Sequence, residues 1–173
     1  MILAKSCHDM DIILWLMGRD CLRIQSFGSL RHFTAENAPE GAPDRCLDGC
    51  PHAEVCPYYA PKLYMNMKLT GWPVDIITTD LSEEGRRKAL EEGPYGRCAY
   101  RCDNDVVDRQ VVNMEFEGGG VATFTMTGLS ADFSRQLKIF GTKGQILADM
   151  GTKEITLHKF WGQPENIPID MGG

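Results

Sequence analysis

Apolar residues recur at the helical period most clearly at the start of the chain. Met10, Ile13, Leu14 and Met17 fall at i, i+3, i+4 and i+7, one stripe of a helix. Ser6 and Asp9 have the spacing of a capping box, and Gly18 is a natural stop. The neighbouring face carries His8, Asp11, Ile12 and Trp15, with His8 and Asp11 one turn apart. Residues 21–33 alternate, which predicts a strand with a bulge or bend at Gly28. From Thr34 to Pro57 no period survives. Pro, Gly, Asp and Cys dominate this stretch of about two dozen residues, and loops of that length are usually functional or pinned. Short helices are expected over 58–68 and over 82–91, the second capped by Ser82 and ended by Gly93-Pro94.

Beyond residue 105 the period changes to two. Strands are predicted at about 106–117, 121–128, 135–140, 145–149 and 154–160, forming an antiparallel meander. Gly118-Gly119-Gly120 and Gly141-Thr142-Lys143-Gly144 mark two of its turns. Val112, Met114 and Phe116 alternate with Asn113, Glu115 and Glu117, as in a half-buried strand. The reading is α+β: an open, largely antiparallel sheet with helices packed on one face. It is a single domain over 1–173, with a cysteine-rich insert at about 34–61.

Composition narrows the classes. A hydrophobic share of 43% and a charged share of 24% are those of a globular chain. Eighteen basic against 24 acidic residues give a net charge of −6, which disfavours nucleic acid and anionic membrane as partners. No apolar run is long enough to span a bilayer, and Met1 to Lys5 do not begin a secretory leader. The chain is expected in the cytoplasm. There, seven cysteines read as metal ligands or free thiols before disulfides.

Cys46, Cys50 and Cys56 lie within eleven residues, inside the loop that most needs pinning. Cys98 and Cys102 form a second group. Thiolates suit zinc or an iron–sulfur cluster, and a closed structural zinc needs four ligands. Cys46, Cys50 and Cys56 with Cys98 is the expected set, with Cys102 or His52 as alternatives for the fourth place. Reduced thiols and a disulfide such as Cys50–Cys56 are the other readings. Cys7 and Cys21 read as small core residues.

His8, oriented by Asp11, has the chemistry of a general acid or base; a structural hydrogen bond is the alternative. Asp103 to Gln110 places three acids and Arg109 at a strand entrance, able to meet a polyol or a cation, or simply a charged turn and edge. Asp108 and Gln110 share the inward face with Val112 and Met114. There is no G-x-G-x-x-G opening a βαβ unit, no Walker motif, no G-x-S-x-G and no H-E-x-x-H.

Several stretches together resemble the C-terminal domain of Gfo/Idh/MocA oxidoreductases. His8, Asp11, Trp15, Leu16 and Gly18 match a pattern of the form H-x-x-D-x-x-x-W-L-x-G at the helix opening that domain. Asn104 to Val112, Gly141 to Gly144 and the insert ending Cys56-Pro57-Tyr58-Tyr59-Ala60 also resemble it. The resemblance implies a substrate-binding and oligomerisation domain of an NAD(P)-dependent enzyme acting on a sugar, polyol or similar hydroxy or keto compound. It implies a homo-oligomer through the sheet face. NAD or NADP would be held by an N-terminal Rossmann domain, with its own lysine, that this chain lacks. The chain thus reads as a fragment, inactive alone. His8 would meet the substrate hydroxyl, with Lys5, Asp11, Asp108 and Arg109 as substrate contacts. Ala4 stands where the family has an aspartate, and Arg109 where a histidine is expected, so contacts there differ. The alternative is a stand-alone thiolate–zinc interaction module without catalysis.

Overall fold

The computed structural model describes residues 6–131 and 134–169. The chain packs as two compact units, 1–128 and 129–173. The fold is α+β and mostly β.

In the first unit, helix α1 (Cys7–Met17) leads into strand β1 (Cys21–Ser29). Gly18 ends the helix as expected: its left-handed backbone (φ 58°) lets its N–H reach the Leu14 carbonyl. The capping box does not form. Ser6 is itself helical and buried, and its side chain makes no cap bond. β1 pairs antiparallel with β2 (Arg109–Phe116), which pairs with β3 (Val121–Thr127), in the order β1-β2-β3. The irregularity in β1 lies between Cys21 and Arg23, not at Gly28. Gly28 serves close approach instead. A Cβ there would come within 3.1 Å of the Arg109 carbonyl and of the Gln110 and Val107 side chains.

Direct pairing places Val112, Met114, Phe116, Ala122 and Phe124 on one face, beneath Met10, Ile13 and Met17 of α1. Phe116 is fully buried there, and a buried phenylalanine contributes about 2–3 kcal/mol. The opposite face carries Arg23, Phe27, Arg109, Val111, Asn113 and the threonines of β3. Arg23 and Glu115 pair across it at 2.7 Å.

Between β1 and β2 run roughly 80 residues with little regular structure: α2 (Ala60–Tyr64), α3 (Glu83–Glu92) and isolated 3₁₀ turns. Helix α2 is far shorter than the predicted 58–68. α3 starts as expected, with the Gly85 N–H on the Ser82 hydroxyl at 3.1 Å. Arg86 of α3 is fully buried, and its guanidinium donates to the carbonyls of Leu81, Tyr64, Asn66 and Leu69.

The expected single meander is two sheets. After β3 the Gly128 N–H turns back to the Asp108 carbonyl (2.7 Å), and the ladder stops. The second unit is a separate antiparallel sheet, β4 (Gln136–Gly141), β5 (Gly144–Asp149), β6 (Glu154–Lys159) and β7 (Glu165–Ile167), in chain order. β7 went unpredicted, being three exposed residues with no readable period. Helix α1 packs on the core face of the first sheet through Met10, Ile13 and Met17.

Candidate functional site

The site grows from the point where the long β1–β2 connection leaves and re-enters the sheet. Asp108 immediately precedes β2. Its N–H donates to the Ser29 carbonyl at 3.0 Å, closing the neck of the connection. Its Oδ2 accepts the backbone N–H groups of Arg31 (2.8 Å), Phe33 (3.3 Å) and His32. Oδ1 is buried without a partner. Burial pushes the Asp108 carboxyl up, but the N–H groups of His32, Arg31 and Phe33, with Arg109 beside them, outweigh it and hold it below its ordinary range. Asp108 faces inward as expected. Its contacts, however, are to backbone, so one carboxylate oxygen is committed to shaping residues 31–33.

That shaping has a result. His32 and Phe33 meet Tyr58 and Tyr100 in an aromatic cluster whose ring centroids lie 4.9–6.1 Å apart. His32 Nε2 lies 3.2 Å from the Tyr100 hydroxyl. Burial raises the Tyr100 phenol, and Tyr58, Cys56 and Cys98 add to the effect.

Tyr58 and Tyr100 also form part of the wall of a small cavity of about 10 Å³, room for one atom the size of a water. Cys46, Cys50, Cys56 and Cys98 line the same cavity. A short antiparallel bridge between Arg45 and Arg97 brings the two cysteine groups together. Across it the Cys46 N–H donates to the Gly96 carbonyl (2.9 Å), and the Cys98 N–H to the Asp44 carbonyl (2.8 Å). Arg45 anchors this bridge by donating to the carbonyls of Leu90 and Gly93 at the end of α3. Burial raises the Cys46 thiol; the Ala60 N–H on its sulfur opposes this, while Cys98, Cys50 and Cys56 push it further up. Cys102 is not in the wall. Its thiol donates to the Cys98 carbonyl at 3.2 Å. His52 is in the wall, with Nε2 2.7 Å from the Glu40 carbonyl. All seven cysteines are free thiols. Among the described residues, no three His, Cys, Asp or Glu side chains already stand as a ligand set for a metal ion.

The other expected residues lie apart from this cluster along the chain. His8 and Asp11 are exposed on the first turns of α1. His8 Nδ1 is 3.6 Å from the Cys7 sulfur, and Cys7 is exposed, not core. Arg109 is exposed on the open face of the first sheet, opposite Val112. Lys5 lies outside the described residues. Among the described residues the strand pairings of both sheets are antiparallel.

The sequence reading missed His32, Tyr58, Tyr100 and Arg45. Tyr100 carried a usable signal: it sits inside the Cys98–Cys102 group, so any site built on those thiols had to include it. His32 carried none, because its place depends on an aspartate 76 residues away.

No protein-family model matches the chain, and no solved structure matches it significantly. One curated protein does. The chain is 23% identical over 146 residues to a protein of Bacillus subtilis (strain 168) named "Putative oxidoreductase YteT", a match spanning 82% of this chain and 33% of that protein. The chain thus spans about a third of its relative's length.

Proposed function

We propose that this chain is the substrate-binding and oligomerisation part of an oxidoreductase of the Gfo/Idh/MocA kind, acting with NAD or NADP on a sugar, polyol or related hydroxy or keto compound. The observation that carries this is the similarity to a protein named as an oxidoreductase, over most of this chain but a third of that one. The antiparallel sheet with one helix-covered and one open face suits such a part.

In this reading the nicotinamide cofactor is held by residues outside this chain. The work left here is on the substrate. His8, exposed on α1 beside Asp11, holds the reacting hydroxyl and exchanges its proton, with Lys5 and Arg109 as further contacts. The open face, with Phe27 and Val111 exposed among threonines, pairs with a second copy.

The test uses the longer reading frame that this proposal requires. In that protein, His8→Ala lowers kcat by at least about 100-fold, the usual scale for removing a positioned acid–base group, and the change is pH-dependent. An unchanged kcat removes His8 from the chemistry. Saturable NADH binding by this 173-residue chain alone, measured by calorimetry, overturns the division of labour.

A further inference from the structure

We propose that Cys46, Cys50, Cys56 and Cys98 bind one zinc ion, and that this ion is what orders residues 34–57. The inference stands apart from the oxidoreductase reading and survives its failure.

Four thiols from two segments line one small cavity. Their convergence is specific. The Arg45–Arg97 bridge sets Cys46 beside the strand of Cys98. Successive turns place the others: the Ala53 N–H on the Cys50 carbonyl, the Cys56 N–H on that of His52, and the Tyr59 N–H on that of Cys56. Cys102 is outside the wall, its thiol on the Cys98 carbonyl, and His52, though in the wall, has its Nε2 on the Glu40 carbonyl.

The chemistry of the donors selects the ion. Four sulfurs without a carboxylate form a soft set, which rejects magnesium and calcium and suits zinc. Among the described residues the thiols do not stand close enough together to form a ligand set for a metal ion. Zinc–sulfur bonds of about 2.3 Å would bring them to about 3.8 Å of one another, so binding closes the cavity. Each thiol gives up its proton on binding, so four protons leave for each zinc taken up by the fully protonated site. The structural need is plain: between Thr34 and Pro57 only Ala42 and Cys46 are buried. Such a segment cannot meet its ordering entropy by apolar packing alone.

The test is metal analysis of the 173-residue chain purified under reducing conditions. One zinc per chain is expected. Cys50→Ser and Cys98→Ser lose it, and Cys102→Ser keeps it. Should the first two fail to fold, the wild-type chain still decides. Cobalt exchanged for zinc gives intense sulfur-to-cobalt charge transfer and tetrahedral d–d bands. Of the seven thiols, four react with a thiol reagent only after chelation, and chelation lowers the melting midpoint by about 10 °C or more. A metal-free chain with seven reactive thiols and chelator-insensitive melting overturns the proposal. So does iron with sulfide in place of zinc, an oxidised Cys pair, or zinc retained in Cys98→Ser but lost in Cys102→Ser.

Discussion

Asp108 shows how much one side chain can organise. Its single oxygen, Oδ2, collects three N–H groups that have no strand partner. Replacing it leaves those part-buried donors without their partner, at up to about 1–3 kcal/mol for each one that water does not reach. Asp108→Asn keeps the shape but loses the charge, and is expected to cost about 2–3 kcal/mol in urea unfolding at pH 7. The pH dependence has a definite sign. The folded carboxyl is held below its unfolded value of about 3.9, so its contribution is fully present above about pH 5 and is lost as pH falls through the folded value. The wild-type advantage over Asp108→Asn therefore shrinks toward pH 3. An advantage that is constant from pH 7 to pH 3 shows that the charge is not what holds residues 31–33. The inward side of Asp108 could be read from its alternation with Val112 and Met114. Its partners could not, because they come from the far end of a long insertion with no period of its own.

At the level of elements, α3 is held by its arginine more than by apolar burial. Its sequence is charged almost throughout, and only Arg86 and Leu90 are buried. The Arg86 fork satisfies four carbonyls from Tyr64, Asn66, Leu69 and Leu81, so it ties α3 to a segment that has no ladder to satisfy it. Arg86→Met fills the space but strands those carbonyls, and is expected to destabilise by about 3–5 kcal/mol. Arg86→Lys recovers little, since an ammonium cannot span the same fork. Unfolding curves for the two variants check this, and a near-neutral Arg86→Met sinks it. The ends of α1 and α3 illustrate what sequence can tell. Gly18 and Ser82 act through neighbours within four residues, so local pattern found them. Ser6 obeys the same motif, yet its backbone is already helical, and no motif reports that.

The whole molecule divides at the point where local pattern stops being informative. Alternation located β2 to β6, because period two survives wherever one face is apolar. It could not say that β3 and β4 belong to different sheets, since a ladder's end is decided by pairing. The second unit has an apolar face of Leu137, Ile139, Ile146, Ala148, Ile155 and Leu157, with Gln136, Lys138, Gln145 and Thr156 on the other side. No described residue of the unit is buried, and those apolar side chains are only half-buried. A peptide of residues 129–173 is therefore expected to show no cooperative melting and a disordered circular dichroism spectrum. A folded monomeric peptide contradicts this. On the first unit, the open face makes its own prediction. Under the proposed pairing of two copies through this face, Phe27→Asp and Val111→Asp, side by side across β1 and β2, shift the protein toward monomer in sedimentation. An unmoved sedimentation coefficient removes this face from the interface.

Seen as a path of the chain, β1 and β2 are the two arms of a hairpin whose turn has grown to roughly 80 residues. Closure entropy rises only with the logarithm of loop length, about 0.6 kcal/mol per doubling, so further lengthening of a turn already this long burdens the sheet little. Because the Asp108 N–H on Ser29 already fastens the neck, the arms are joined without help from anything beyond it. The thiol-bearing insertion is thus free to change in length and content while the sheet beneath it stays as it is.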